Sequence, residues 1–195
     1  MEMTRFEKFF VNRERKGLGN LKRLRRALKT VDIRKIRDVL EIGCGIGTAS
    51  ARLADAYGWT VSGTDYDARQ IEEARRRYPE SGGLQYRCED ATRMSFAAAS
   101  FDLAIAQMVF HHIPAWREAV TELGRVVRPG GAVFCQDFVV SSGLARRLRP
   151  LVRYFGVCSA EAIDDAFAAA GFSICRAGQV GALGVSFSDR LYRRR

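Results

Sequence analysis

Two histidines stand side by side at His111 and His112, and the chain has no others. Imidazole is the side chain best suited to moving a proton near neutral pH. A paired histidine in a turn also has a plain structural use, which is to hydrogen-bond backbone and hold the turn's shape. Three carboxylates, Glu41, Asp65 and Asp90, each stand where a short apolar run gives way to a turn. Between the first two lie Gly43, Gly45 and Gly47 on alternate positions. Glycine accepts positive φ and lets a ligand approach the backbone with no Cβ in the way. A helix start behind such a turn offers unpaired N–H groups and the positive end of a dipole.

A dinucleotide is one ligand for a turn of this kind, through the pattern G-x-G-x-x-G. Gly43 and Gly45 fit that pattern, but Thr48 fills the third position and Gly47 arrives one residue early. Glu41 would also stand close to the negative charge of a pyrophosphate. An acid there suits a ligand with a cationic group. Glu41-x-Gly43-x-Gly45-x-Gly47 resembles the first motif of class I S-adenosylmethionine-dependent methyltransferases. Further stretches carry the same resemblance. Ser100-Phe101-Asp102-Leu103 is similar to the family's F-D-x-[VI] start of a fourth strand. Leu123-x-Arg125-Val126-Val127-Arg128-Pro129-Gly130-Gly131 is similar to its late helix-to-strand motif. The His111-His112 turn resembles that of the small-molecule, ubiquinone/menaquinone-type members.

The resemblance implies a cofactor, S-adenosylmethionine, with S-adenosylhomocysteine as product, and no metal. It also implies roles. Glu41 and the turn Gly43, Cys44, Gly45 and Gly47 would face the methionine part. Asp65, 24 residues after Glu41, would hold both ribose hydroxyls, a task for which a carboxylate has two acceptor oxygens. A dinucleotide-type fold sets a carboxylate on the ribose at a similar spacing. Tyr66 would lie near the adenine. Asp90 would accept from the adenine amino group, with the Ala91 N–H beside it. Gln107 would stand over the site where backbone carbonyls receive the ammonium. Asp67 competes with Asp65 by position and is better placed to cap the helix that follows.

Apolar runs ending near 42, 65, 91, 107 and 138 alternate with helical stretches over 49–57, 68–78 and 116–127. Two closing strands over 172–179 and 185–192 follow a helix over 160–170. The expected fold is α/β: a Rossmann-like, doubly wound, seven-stranded, mostly parallel sheet with an antiparallel last strand and helices on both faces. Upstream, residues 4–16 read as a short helix with Phe6, Phe9 and Phe10 on one side, broken by Gly17 and Gly19. Residues 18–31 read as a basic amphipathic helix, with Leu18, Leu21, Leu24, Leu28 and Val31 on one face. Its leucines would pack on the sheet, or lie on an anionic membrane surface. Residues 141–158 alternate arginines with apolar residues and stand where the family builds a substrate cover. The chain reads as one methyltransferase domain over 1–195, with leading helices in 1–34, a cofactor core in 35–140, and cover and closing strands in 141–195.

The formal net charge of +10 is uneven: residues 1–40 carry 13 Lys/Arg and 5 Asp/Glu, whereas residues 41–140 carry 10 and 13. Basic ends suggest an anionic partner or simply a solvated surface. No apolar run approaches the roughly 18–20 residues of a membrane helix, and the charged start does not read as a secretory signal. Five scattered cysteines without a C-x-x-C pair suit reduced thiols in the cytoplasm, not a disulfide or zinc framework. The resulting expectation is methyl transfer to a small-molecule or lipid-like acceptor, with His111 and His112 as candidate bases. Peripheral contact with a membrane surface is compatible with it; an oligomeric state is not readable. Two other readings are a nucleic-acid methyltransferase or binder using the basic ends, and a catalytically silent cofactor-binding protein. The first lacks an N-P-P-[YF] motif and paired cysteines for pyrimidine chemistry.

Overall fold

The computed structural model describes residues 14–148, 158–182 and 185–195. Residues 4–13 of the helix expected over 4–16, the part of the cover in 149–157 and the turn at 183–184 lie outside them.

Seven strands form one sheet in the order β3-β2-β1-β4-β5-β7-β6. They are β1 Asp38–Ile42, β2 Thr60–Asp65, β3 Leu84–Cys88, β4 Phe101–Gln107, β5 Val127–Val140, β6 Phe172–Ala182 and β7 Val185–Arg194. Pairing is parallel from β3 through β5, and β7 runs antiparallel to both β5 and β6. The central strands are buried on both faces, so they read as continuous apolar runs and not as alternating ones. Side chains still alternate between two cores. Val39, Leu103 and Ile105 point to the layer of α1 Glu14–Leu28, α2 Thr48–Tyr57 and α3 Ala68–Arg77. Leu40, Ile42, Ala104 and Ala106 point to the layer of α4 Trp116–Val126 and α6 Ala160–Ala169. The short helix α5 is Ser142–Leu148. The chain order reverses between β1 and β4, which opens a crevice at the carboxyl ends of those strands.

Three expectations change. Helix α1 runs unbroken through Gly17 and Gly19. A glycine costs a helix about 1 kcal/mol, and burial of Leu21, Leu24 and Leu28 outweighs that several times over. The leucines are thus in the core, and Lys22, Arg25, Arg26 and Lys29 are exposed on the opposite face. Second, β5 starts at Val127 directly after α4, so Pro129-Gly130-Gly131 form no helix-to-strand turn. They form an irregularity between the Phe101–Val127 and Leu103–Ala132 pairs. Gly131 is required there, because a Cβ would meet the carbonyl oxygens of Arg128 and Asp102 at 2.8 and 2.9 Å. Third, the closing hairpin is longer than expected, with β6 continuing through Gly181 and Ala182. The expected strand running into a turn over 84–91 is present, its strand part ending at Cys88 and Asp90 standing in the turn.

The lower end of the sheet is fastened by Asp102. Its Oδ2 accepts from the Arg37 and Asp38 N–H groups at 2.9 and 3.0 Å. Arg128 bridges Asp38 and Asp102 at 2.9 and 2.7 Å. These contacts fix the strand starts and leave the opposite ends, where the carboxylates stand, to the loops.

Candidate active site

At the end of β1 the chain turns through Gly43, Gly45 and Gly47, all left-handed, with φ of 68, 54 and 76°. Their reasons differ. A Cβ on Gly43 would stand 2.5 Å from Val109 Cγ2, whereas a Cβ on Gly45 would meet nothing within 4 Å. Gly47 is wedged against Tyr86, whose hydroxyl donates to its carbonyl at 3.2 Å. Tyr86 is itself buried. Gly43 therefore admits the neighbouring loop, Gly47 admits the core, and only Gly45 turns its bare backbone to open space.

Asp65 at the end of β2 holds this turn. Its Oδ2 accepts from the Gly45 N–H and its Oδ1 from the Asp67 N–H, each at 2.9 Å. Asp67 caps α3 by accepting from the Arg69 N–H at 3.0 Å, as its position suggests. Asp90 accepts from the Thr92 N–H and hydroxyl at 2.8 and 2.7 Å, which bends the chain after β3.

A cavity of about 380 Å³ lies between these loops. Of the residues expected at the site, Gly43, Gly45, Asp65, Tyr66, Asp90, Ala91 and His112 line it. Glu89 and Thr92 add polar groups, and Met108, Val109, Ile113 and Pro114 an apolar wall. Tyr66 is 59% exposed at the rim. Glu41, Cys44, Gly47, Gln107 and His111 are not on its surface. Cys44 is buried with its N–H on the Thr64 carbonyl at 2.8 Å, and burial pushes its thiol well up. Gln107 follows the strand alternation to the α1 side, where its Nε2 donates to the Asn20 carbonyl and to Gln136 Oε1 at 3.1 and 2.9 Å. Its Oε1 is buried with no hydrogen-bond partner among the described residues.

Glu41 is 5% exposed and accepts from the Ser50 hydroxyl of α2. Burial raises its carboxyl to about 7, against the opposing pull of Ser50 and with a further push from Asp65. Glu41 thus sits behind the glycine turn, near the pH at which it changes charge.

Asp137, in β5, was not among the candidates. It is fully buried and gathers the loop after β4. Its Oδ2 accepts from the Val109 and Phe110 N–H groups at 3.1 and 2.7 Å, and its Oδ1 from the Phe138 N–H at 2.7 Å. His111 Nδ1 lies 2.5 Å from the same Oδ1. Met108, left-handed at φ 56°, is where the chain bends to bring these N–H groups round. A lone acid in a largely apolar stretch of strand was the signal. The His111 and His112 rings lie 3.9 Å apart, so the Asp-paired ring is one ring removed from the cavity wall.

The lining presents carboxylates (Asp65, Asp67, Glu89, Asp90) and no Lys or Arg among the described residues. Such a set opposes a pyrophosphate and favours a ligand rich in donors and positive charge. S-adenosylmethionine, with two ribose hydroxyls, an adenine amino group, an ammonium and a sulfonium, fits it. No group of three or more His, Cys, Asp or Glu among the described residues is arranged for a metal.

Residues 40–135 match the family model described as a methyltransferase domain. The chain is 34% identical over 108 residues to an O-methyltransferase of Pyrenophora dematioidea, a match covering 54% of this chain and 40% of that protein. It is 35% identical over 100 residues to 2-methyl-6-phytyl-1,4-hydroquinone methyltransferase of Synechocystis, covering 51% and 31%. The chain thus spans less than half the length of these curated relatives. Among solved structures it resembles Haemonchus contortus phosphoethanolamine N-methyltransferase 2, in complex with S-adenosyl-L-methionine, with a TM-score of 0.75, 16% identity and coverage of 89% and 52%. Residues 40–135 thus match a methyltransferase domain, and the chain takes the fold that the motifs imply.

Proposed function

We propose that the chain transfers a methyl group from S-adenosylmethionine to a hydroxyl of a small-molecule or lipid-like acceptor. The bound cofactor supplies an electrophilic methyl on a sulfonium, already activated for in-line displacement. The chain's own work is to align, to exclude water and to move one proton. Asp65, which carries two backbone N–H groups, has acceptor capacity for ribose hydroxyls as well, since a carboxylate takes about four hydrogen bonds. Asp90 and the Ala91 N–H receive the adenine edge, and Tyr66 covers the ring. Gly45 gives the amino-acid part its close approach, and Glu41 answers its ammonium from behind the turn.

The observation that carries the hydroxyl acceptor is the pairing of His111 with Asp137. An acceptor amine that is already neutral needs no base, whereas a hydroxyl must lose its proton as it attacks. Asp137 takes Nδ1–H, which leaves Nε2 as the proton acceptor and steadies the imidazolium once it forms. His112, on the cavity wall, sets the other side of the approach. Turnover of a phenolic acceptor is the test. His111→Gln lowers kcat by about 100-fold or more, the usual share of a general base, without changing S-adenosylhomocysteine affinity. Unchanged turnover in the variant would remove His111 from the reaction.

The relatives named for hydroquinone and O-methyl acceptors support this acceptor class. The exposed bases of α1 support peripheral contact with an anionic membrane, from which a lipid-like acceptor would be taken. No described helix is long and apolar enough to cross a membrane. All five cysteines are free, in keeping with a reducing compartment such as the cytoplasm. The chain is read as one domain, with leading helices in 1–34, a cofactor core in 35–140, and an acceptor cover with closing strands in 141–195.

A further inference from the structure

The β5–β7–β6 part of the sheet has a face that the cofactor does not use. Phe138 pairs with Phe187, and Phe187 pairs with Val180. Two residues further along, Val140 pairs with Val185. Cross-strand partners, and residues two apart on one strand, share a face. Five apolar side chains therefore form one surface beside α1. Phe138, Val180 and Val185 are 38, 69 and 47% exposed, half of the exposed large apolar residues among those described. Scattered apolar residues need no explanation, but a contiguous group does.

The surface has chemically distinct borders. On one side the His111 ring meets the Phe138 ring edge-on at 5.7 Å between centres. The Phe138 and Phe187 rings are 4.1 Å apart. On the other side the Arg23 guanidinium stands over the Phe187 ring at 5.5 Å. Arg23 has no carboxylate partner among the described residues. Asp189, one pair of positions below Phe187 on the same strand face, is already held by Arg176 at 2.6 Å. The row thus runs from an Asp-paired imidazole, across two aromatic rings, to a cation.

We propose that this face seats the methyl acceptor and that the acceptor is a hydroxylated aromatic carboxylate. Its ring system lies on Phe138 and Phe187, its hydroxyl points to His111, its carboxylate meets Arg23, and apolar substituents extend over Val180 and Val185. Arginine over an aromatic ring is well suited to this task, since it keeps its stacking contact while its N–H fork takes a carboxylate. The proposal rests on the methyltransferase reading above, and it adds both the place and the charge of the acceptor.

Binding of 1-hydroxy-2-naphthoate and of 1-naphthol to the protein saturated with S-adenosylhomocysteine tests it, by calorimetry or quenching of ligand fluorescence. The naphthoate binds about tenfold more tightly than the naphthol in the wild type, as a charge-assisted contact of moderate strength requires. Arg23→Gln brings the two affinities together. Val180→Asp, a change at an exposed position, weakens the naphthoate and the naphthol alike. All three proteins keep the same S-adenosylhomocysteine affinity and melting temperature. An unchanged affinity ratio in Arg23→Gln overturns the proposal, as does tight binding that Val180→Asp leaves untouched. So does a wild-type dimer that Val180→Asp splits, which would make the face a contact between copies. Intact cofactor binding with no binding of either naphthalene refutes this inference alone. Failure to bind S-adenosylhomocysteine refutes the cofactor reading, and this inference falls with it.

Discussion

Two buried carboxylates at the top of the sheet are handled in opposite ways. Glu41, behind the glycine turn of β1, is answered by one serine hydroxyl, and burial lifts it to about 7. Asp137, in β5, is answered by three backbone N–H groups and an imidazole. A buried charge is tolerated only when donors surround it. Asp137 has them and fixes a loop; Glu41 lacks them and is free to change charge when a cation arrives. The β1 side of the cleft thus has an acid able to change charge, and the β5 side an acid that holds shape.

Breaking the Asp137 side has the largest expected effect. Asp137→Ala strips partners from the Val109, Phe110 and Phe138 N–H groups together. Urea unfolding should show a loss of about 3–5 kcal/mol, the usual cost of breaking a buried charged network. A loss under 1 kcal/mol would mean that water replaces the carboxylate at no cost and the loop is not held by it.

Glu41→Gln sharpens the contrast through pH. Between its ordinary value of 4.5 and about 7, the folded chain keeps a proton that the unfolded chain has released. Its contribution to stability is therefore full below pH 4.5 and lost as pH rises to about 7. The glutamine variant has no such dependence. Its stability relative to wild type should grow by about 3 kcal/mol from pH 4.5 to pH 8. Parallel wild-type and variant pH profiles would show that Glu41 is not buried as a lone carboxyl.

The glycines give a smaller effect with an internal control. Gly43→Ala adds a methyl against Val109 on top of left-handed strain, and should cost about 2–3 kcal/mol, part of it recovered by Val109→Ala. Gly45→Ala carries only the strain, about 1–2 kcal/mol, yet should weaken S-adenosylhomocysteine more than Gly43→Ala does when both are folded. Equal effects on affinity would mean that Gly45 does not face the ligand. The smallest change is Tyr66→Ala. At 59% exposure it should leave stability within about 0.5 kcal/mol and remove about 1 kcal/mol of binding by loss of ring stacking.

Sequence reading reached the strand ends around the cleft through local signals. Glu41 to Gly47, Asp65 with its capping neighbour Asp67, and the order of seven strands are each written in short contiguous stretches. Contacts made across the fold were out of reach. Asp137 meets His111 across 26 residues, and nothing in linear spacing marks that return. Ser50 meets Glu41 only because α2 folds back over β1. Gln107 was legible in principle: with Leu103 and Ile105 it alternates to the α1 face, away from the cavity. The glycines of α1 and the Pro129-Gly130-Gly131 stretch misled for one reason. Local propensity favoured a break, and packing on the sheet overrode it.

Calorimetric titration of S-adenosylhomocysteine into wild type and Asp65→Ala tests most directly that the acid-lined cavity holds the cofactor through Asp65. The wild type should bind in the micromolar range, and the variant, folded by circular dichroism, should bind at least about tenfold more weakly. Equal affinities for the two proteins, or no binding to folded wild type freed of carried-over cofactor, would contradict it.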